Sequence, residues 1–328
     1  MFDDSLLDDP VALQAKGERV HALALAGARL RLEDTDDLSE VATHLGGLRP
    51  RSVLVLGAEA RLIRAVVEPS CPVPCIAWPM TVLPPWAGPL DLVIILAGAD
   101  SRLLPACVEA HKRGCWLLVV APDGCPILDE SVSIEMLSVH QDDPFVSALL
   151  ALKVLDLLHL GPGLDLDDTA AVLDSVAETC GPRYGLEVNP AKNLACALAD
   201  TVPLLWGGSV LAARASRRVA EALREVTGLP VLAADEHALA PLLLKSEPRD
   251  LFADPVEGGT DATRFCLLVL DDEEYVPYGV DLARLAESRD VRVETIRYPD
   301  GNPVERYACL LHQGLFAAAY LDLATVRE

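Results

Sequence analysis

Short apolar runs that end in glycine, proline or aspartate recur along the chain. The clearest are VLVLG, DLVIILAG, WLLVVAP, TVPLLW and FCLLVL. All are shorter than the roughly 18 uninterrupted apolar residues that a membrane-spanning helix requires. A brief apolar run bounded by turn residues is typical of a strand buried on both faces. The pattern therefore predicts a set of buried β-strands and no segment that crosses a membrane.

Segments with the periodicity of helices separate these strands. Between Arg51 and Gly124 the sequence alternates strand, turn and helix. Such alternation indicates βαβ units and a parallel sheet. The same order returns between Thr201 and Pro299, with a glycine at the same place after the first strand. We interpret the chain as a pseudo-duplication of one α/β unit.

Helical segments precede, join and follow these α/β units. One helix is predicted from Pro10 to Leu32, and another begins at Pro144, capped by Asp142 or Asp143. The apolar helix near the C-terminus is expected to pack across a partner or the opposite half. The predicted domains are an N-terminal α/β domain at residues 1–140, a helical bridge at 141–200, and a C-terminal α/β domain with its closing helix at 201–328.

The charge of the chain is strongly negative. Of its 328 residues, 50 are Asp or Glu and 27 are Lys or Arg, which gives a formal net charge of −23. Such a surface repels nucleic acid and anionic lipid, so neither is expected as a partner. Hydrophobic residues make up 51% of the chain, which argues against disorder. The start MFDDSLLDDP lacks the positive charge of a secretory or transit peptide, so a cytoplasmic location is expected.

Several reactive side chains have ordinary structural explanations. The nine cysteines are scattered, so a disulfide framework is not expected. Cys71 and Cys75 are close in sequence but have no second pair or histidine beside them, so neither a metal nor another cofactor is expected. The acidic run at 271–274 is interpreted as a solvated loop, with a divalent-cation site as the alternative. We expect Lys192 on a solvated helix face and His140 in capping or solvation.

The stretch REVTGLPVLAADEH, residues 224–237, has one glutamate near the end of a helical run and one histidine beyond the next strand. With the preceding NPAKNLACALADTVPLLWGG, it resembles the sugar isomerase (SIS) family. The second half is similar to bifunctional phosphoglucose/phosphomannose isomerases and to degenerate actinobacterial TobH-like proteins. The resemblance implies two SIS-type parallel-sheet α/β units, doubly wound and flavodoxin-like, joined by helices. It also implies a homodimer.

The resemblance assigns catalytic roles to two residues. Glu225 would be the base that moves a proton between C1 and C2 of an open-chain sugar. His237 would help to open the sugar ring, reaching the site from the neighbouring subunit. A positioned acid or base of this kind contributes ~10²–10⁴-fold to a proton transfer. Without the resemblance, a solvated helix glutamate and an exposed turn histidine are the ordinary interpretation.

The phosphate-binding positions depart from the family. Where the family has a loop of Ser, Thr, Gly and Asn, this chain has LAGADSRLL. Ser101 and Arg102 remain candidate donors to a substrate, but Asp100 adds a negative charge. The earlier glycine turn keeps Gly57 as a candidate binding position, although Glu59 stands at the start of the following helix. A carboxylate there competes with an anionic ligand for the helix dipole.

A second candidate anion site follows the first strand of the C-terminal unit. Gly207, Gly208 and Ser209 open a helix, where backbone N–H groups can bind an anion. A plain tight turn is the alternative. Where the family has an arginine after a proline at the start of the bridging helix, Phe145 follows Pro144, and the family's lysine near the C-terminus is missing.

Two hypotheses follow from this mixture. The first is a phosphosugar isomerase that converts glucose or mannose 6-phosphate to fructose 6-phosphate with weakened phosphate-binding motifs. The second is a catalytically inactive SIS dimer that binds a sugar derivative or regulates a partner. The retained glutamate and histidine favour the first hypothesis, and the altered phosphate loops favour the second.

Overall fold

The computed structural model describes residues 1–33, 36–99, 102–128, 135–140, 142–246, 264–274 and 281–326. Within these ranges it contains nine strands and thirteen α-helices, preceded by a 3-10 helix at Asp4–Leu7. The strands are β1 Ser52–Gly57, β2 Cys75–Trp78, β3 Asp91–Leu96, β4 Trp116–Pro122, β5 Glu135–Val139, β6 Val202–Gly207, β7 Leu232–Ala233, β8 Phe265–Asp271 and β9 Arg292–Arg297. The helices are α1 Pro10–Lys16, α2 Glu18–Ala24, α3 Ala26–Leu32, α4 Asp36–His44, α5 Ala60–Val67, α6 Leu104–Lys112, α7 Pro144–Leu157, α8 Leu166–Cys180, α9 Pro190–Leu198, α10 Val210–Thr227, α11 Glu236–Leu244, α12 Leu282–Glu287 and α13 Pro303–Ala324.

The chain folds into two compact units. The five-stranded unit comprises Ala28–Asp168, and the four-stranded unit comprises Met1–Gly27 together with Thr169–Glu328. The predicted domain boundaries follow the order of elements along the sequence, whereas these units are defined by packing. Among the described helices, none is both long and apolar enough to cross a bilayer.

The sheet of the five-stranded unit has the order β2-β1-β3-β4-β5, and all its pairings are parallel. Alternate residues of β1, β3 and β4 face α6 in one buried cluster. Helices α5 and α7 pack on each other and on these strands, and they cover the opposite face. A parallel sheet covered on both faces needs strands that are apolar throughout, as the sequence predicts. The doubly wound, flavodoxin-like prediction is confirmed.

The four-stranded unit repeats this arrangement with the order β7-β6-β8-β9, again parallel. Helices α11 and α12 share one buried cluster with β6 and β8. Helices α9, α10 and α13 pack together and lie against strands of the sheet. Most of α13 is buried within its own unit, and its packing across a partner or the opposite half stays a prediction.

The prediction of one continuous helix from Pro10 to Leu32 is wrong. The structure has three short helices there, because α1 ends at Gly17 and Leu25 separates α2 from α3. The Gly17 N–H donates to the Leu13 carbonyl, and a Cβ at Gly17 would collide with that same oxygen. Glycine also costs about 1 kcal/mol relative to alanine inside a helix, which favours a break at this position.

Lys192 is buried, which corrects its predicted position on a solvated helix face. Its Nζ donates to Asp8 Oδ1 at 2.6 Å and to the Tyr184 carbonyl at 2.9 Å. The ammonium group also lies 5.3 Å from the centre of the Tyr320 ring. Asn189 caps the same helix by accepting from the Lys192 N–H at 3.1 Å. The NPAK motif therefore joins the N-terminal segment to α9 and α13.

The pairing of Asp8 with Lys192 makes stability depend on pH. Burial by itself raises the pKa of Asp8, but hydrogen bonds from Lys192 and the Leu186 N–H outweigh it and hold the pKa below its ordinary value of 3.8. A carboxyl group whose pKa is lowered on folding contributes stability above its unfolded pKa and loses it as pH falls through the folded pKa.

We therefore predict that Asp8→Asn destabilises the protein at pH 7 by about 2 kcal/mol, because it leaves the Lys192 charge buried without a counter-ion. The difference from wild type should shrink as pH falls below 4. Urea unfolding at pH 7 and pH 3 measures both effects. Asp4→Asn, on the adjacent 3-10 helix, is the control and should change little. A deficit of equal size at both pH values would contradict the prediction.

Candidate functional site

A serine and a buried aspartate meet at the carboxyl ends of β6 and β8. Ser209 is the N-cap of α10, and its Oγ accepts from the Ala212 N–H at 3.0 Å. The same hydroxyl donates to Oδ2 of Asp272, which directly follows β8 and is 3% exposed. Ser209 is thus used as donor and acceptor inside the protein. A buried carboxylate therefore lies at the helix N-terminus where an anion was predicted to bind.

The turn after the first strand of each unit contains a glycine because other backbone atoms lie too close there for a side chain. Gly57 has φ +117°, and a Cβ there would collide with the Leu96 carbonyl oxygen. A Cβ at Gly207 would collide with the backbone of Ala212 in the first turn of α10. Gly208 is half-buried between Gly207 and the helix. The fold requires glycine at Gly57 and Gly207 whether or not a ligand binds there.

Carboxylates also lie at two turns of the five-stranded unit, those that follow β1 and β3. In the turn after β3, the Ala99 N–H donates to Asp142 Oδ2 at 3.0 Å. In the turn after β1, Glu59 is the N-cap residue of α5 and is 2% exposed. Arg102 is exposed, and Ser101 lies outside the described residues. In the predicted phosphate loop, the Ala99 N–H already donates to a carboxylate of the protein.

The three turns therefore share one electrostatic property. Each has a protein carboxylate at the carboxyl edge of its sheet: Glu59, Asp142 or Asp272. Two like charges 4 Å apart repel by about 1 kcal/mol in water and about 4 kcal/mol at the effective dielectric constant near a protein surface. A phosphate dianion is disfavoured at all three turns.

Glu225 lies in the last turns of α10 and lines a groove bounded by α2, α10 and α13. The groove has a volume of about 520 Å³, which falls within the range of small-molecule sites. Arg19 Nη2 donates to Glu225 Oε1 at 2.6 Å, and this hydrogen bond raises the pKa of Arg19. The Glu225 side chain is 64% exposed. Ion pairs this exposed contribute about 0–1 kcal/mol, so a ligand can displace Arg19 at little cost.

His237 is exposed and is the second residue of α11. It does not line the groove that contains Glu225. Asp235 caps α11 by accepting from the Ala238 N–H at 2.9 Å. The resemblance assigns His237 to the site of a neighbouring subunit, so its catalytic role and that of Glu225 stay predictions.

The structure reveals a pair that was not predicted from the sequence. His140 Nδ1 lies 3.1 Å from Glu33 Oε2, and the His140 backbone N–H donates to both carboxylate oxygens at 3.3 Å. The two residues are 107 positions apart, and β5, which ends just before His140, was not predicted either. No local pattern could therefore have signalled this pair. Of the two predicted caps of α7, Asp143 is the N-cap residue and accepts from the Phe145 N–H at 3.0 Å.

The cation-binding alternatives find little support. Among the described residues, no group of three or more His, Cys, Asp or Glu side chains is arranged to hold a metal ion. Burial raises the pKa of Cys75 to about 12, so its thiol stays protonated at neutral pH and is a poor metal ligand. In the acidic run after β8, Glu273 pairs with Arg297 and Glu274 pairs with Arg306.

The fold matches solved structures over nearly the whole chain. A glucose-6-phosphate isomerase-like protein from Thermus thermophilus is 18% identical with a TM-score of 0.57, covering 97% of this chain and 92% of that one. A protein from Salmonella typhimurium described as a putative sugar binding protein is 16% identical with a TM-score of 0.61, covering 94% and 99%. The tagatose-6-phosphate ketose/aldose isomerase of Escherichia coli is 14% identical with a TM-score of 0.60, covering 94% of each chain. Identities this low establish the fold alone.

The two parallel α/β units and these matches define a protein with the phosphosugar isomerase-like SIS fold. The model of the bacterial phospho-glucose isomerase C-terminal SIS domain matches residues 187–326 of this chain. No curated protein matches the chain. The resemblance to the SIS family and to phosphoglucose isomerases is confirmed, and the narrower likeness to TobH-like proteins stays a prediction.

We predict that Asp272→Asn gives the protein an affinity for inorganic phosphate that the wild type lacks. The amide still accepts from Ser209, while the charge that repels an anion from the α10 N-terminus is removed. The helix dipole should then stabilise the bound anion by about 0.3–1 kcal/mol. Thermal unfolding across a phosphate titration measures the gain.

Asp271→Asn is the matched control, because Asp271 is the adjacent acid and lies 3.5 Å from the Arg297 side chain. It should gain no phosphate-dependent stabilisation. A wild-type protein already stabilised by phosphate through Ser209 would contradict the prediction.

Proposed function

We propose that this protein binds a carbohydrate derivative through its SIS fold and has lost efficient turnover of hexose phosphates. The proposal rests on the contact between Ser209 and Asp272. In a phosphosugar site, hydroxyl and backbone N–H groups at a helix N-terminus receive the phosphate. Here the Ser209 hydroxyl donates to a buried carboxylate of the protein, which leaves a phosphate dianion without favourable electrostatics.

The two turns of the five-stranded unit support the same conclusion. The Ala99 N–H is bonded to Asp142, and Glu59 is buried at the N-terminus of α5. A carboxylate at one of these turns would weaken phosphate binding there, and the same feature is found at all three turns. The ligand best suited to such a surface carries hydroxyl groups and no phosphate.

Aldose–ketose isomerisation of a hexose phosphate is the second candidate function. It is favoured by Glu225, an exposed carboxylate on a groove of ligand size whose partner Arg19 is only weakly held. In this candidate Glu225 is the base, and His237 from the neighbouring subunit of a homodimer opens the ring. Arg19 would have to release the carboxylate before it could accept a proton.

An assay of coupled turnover separates the two candidates. Glucose 6-phosphate and mannose 6-phosphate are offered as substrates, and fructose 6-phosphate is detected. We expect no turnover that depends on Glu225, because a substrate phosphate finds no cradle. We also expect neutral hexoses to raise the unfolding temperature more than their 6-phosphates do.

The variants Glu225→Gln and Glu221→Gln give the assay its control. Both glutamates lie on α10 and line the same groove, and Glu221 is paired with Arg218 at 2.5 Å. Turnover that falls ~10²–10⁴-fold in Glu225→Gln and is retained in Glu221→Gln would establish the isomerase instead. A protein that neither turns over nor binds any hexose would contradict both candidates.

A further inference from the structure

The pair formed by Glu33 and His140 lies where α/β proteins bind ligands. His140 directly follows β5, so it stands at the carboxyl edge of the five-stranded parallel sheet. In open α/β sheets, ligands bind outside the carboxyl ends of the strands. Helix α7 begins four residues later, capped by Asp143. This segment therefore brings an imidazole and a helix N-terminus to the same edge.

The carboxylate of Glu33 fixes the orientation of the His140 ring. The Glu33 side chain is 4% exposed, whereas that of His140 is 60% exposed. An ionised carboxylate only accepts hydrogen bonds, so Nδ1 carries the proton in this pair. A carboxylate behind a histidine sets its tautomer and ring orientation. His140 is accordingly an oriented imidazole at the surface, backed by a buried negative charge.

Arg29 and two apolar side chains complete the surroundings. Arg29 Nη2 lies 3.5 Å from Asp143 Oδ2. Arg29, Glu33, His140 and Asp143 line a cavity of about 30 Å³ with Leu32 and Val146. That volume is about the share of liquid volume occupied by one water molecule, so the cavity accommodates a single hydroxyl group. Leu32 is 69% exposed beside it and offers an apolar surface to the carbon atoms of a ligand.

We propose that Glu33, His140 and Arg29 form a carbohydrate-binding site of the five-stranded unit that recognises hydroxyl groups and discriminates against phosphate. This inference rests on the proposed function and names the site and the ligand chemistry. His140 and Arg29 contact a hydroxyl group of the sugar: the imidazole Nε2 accepts a hydrogen bond from it, and the guanidinium donates one to it. Glu33 is a positioning residue that acts through the imidazole.

The charges around the site account for the discrimination. Two carboxylates, Glu33 and Asp143, line the cavity against one guanidinium, that of Arg29. Asp142 adds a third carboxylate at the same sheet edge, bonded to the turn after β3. A neutral hydroxyl group has no repulsion to overcome here, whereas a phosphate dianion has. A net repulsion of about 1 kcal/mol in water corresponds to roughly a fivefold preference for the neutral sugar.

Histidine ring signals in ¹⁵N-correlated NMR test the site directly on the full chain. D-glucose and glucose 6-phosphate are the two ligands tested. The chain has seven histidines, and the set of ring signals that disappears in the His140→Gln variant is assigned to His140. In the wild type we expect the Nδ1-protonated tautomer to dominate at His140. Glucose should shift its signals saturably, with roughly fivefold weaker binding of glucose 6-phosphate.

Glu33→Gln tests the positioning role. It should move the His140 tautomer ratio towards that of an unpaired imidazole and weaken glucose binding by about tenfold, the loss of one charge-assisted hydrogen bond. A merely structural role would leave the tautomer ratio unchanged. Circular dichroism establishes that the variant is folded.

His44→Gln is the matched control within the same unit. His44 Nδ1 lies 3.3 Å from Glu135 Oε2, and its side chain is 56% exposed, but neither residue lines the cavity. This variant should bind glucose as the wild type does. Glucose binding that leaves the His140 signals unmoved, or that survives Glu33→Gln unchanged, overturns the inference while the proposed function stands. Absence of binding by every hexose overturns both.

Discussion

Both sheets are parallel, and helices cover their two faces, which is the constraint on which the rest of the structure depends. A parallel sheet with covered faces leaves only the ends of its strands open to a ligand. The side chains that follow β1, β3, β5, β6 and β8 therefore decide what the protein can bind. Glu59, His140, Ser209 and Asp272 follow β1, β5, β6 and β8, and Asp142 is bonded to the turn after β3.

Carboxylates at the strand ends change the chemistry of an otherwise familiar fold. Asp272 and Asp142 accept hydrogen bonds from Ser209 and the Ala99 N–H, groups that could otherwise receive an anion. These carboxylates hydrogen-bond the turn after β3 and the N-cap serine of α10.

The sequence predicted every strand of the described residues except β5. Strands β1, β3 and β8 are continuous apolar runs, because neighbouring strands and helices surround them. Strand β5, an edge strand of the described sheet that pairs with β4, was not predicted, since it mixes polar residues such as Glu135 and Ser138 with apolar ones. The predicted position of Lys192 on a solvated helix face is also wrong. A lysine in a helix is normally solvated, and only packing against Asp8 and Tyr320 makes its burial possible.

The sequence by itself determined the parallel α/β class, the doubled unit and the carboxylates near the strand ends, because apolar periodicity and turn residues act over a few positions. The tertiary structure alone decided which groups those carboxylates contact. It joined Glu33 to His140, Ser209 to Asp272 and Arg19 to Glu225. The members of each pair are far apart along the chain, and only the folded backbone brings such side chains within hydrogen-bond reach.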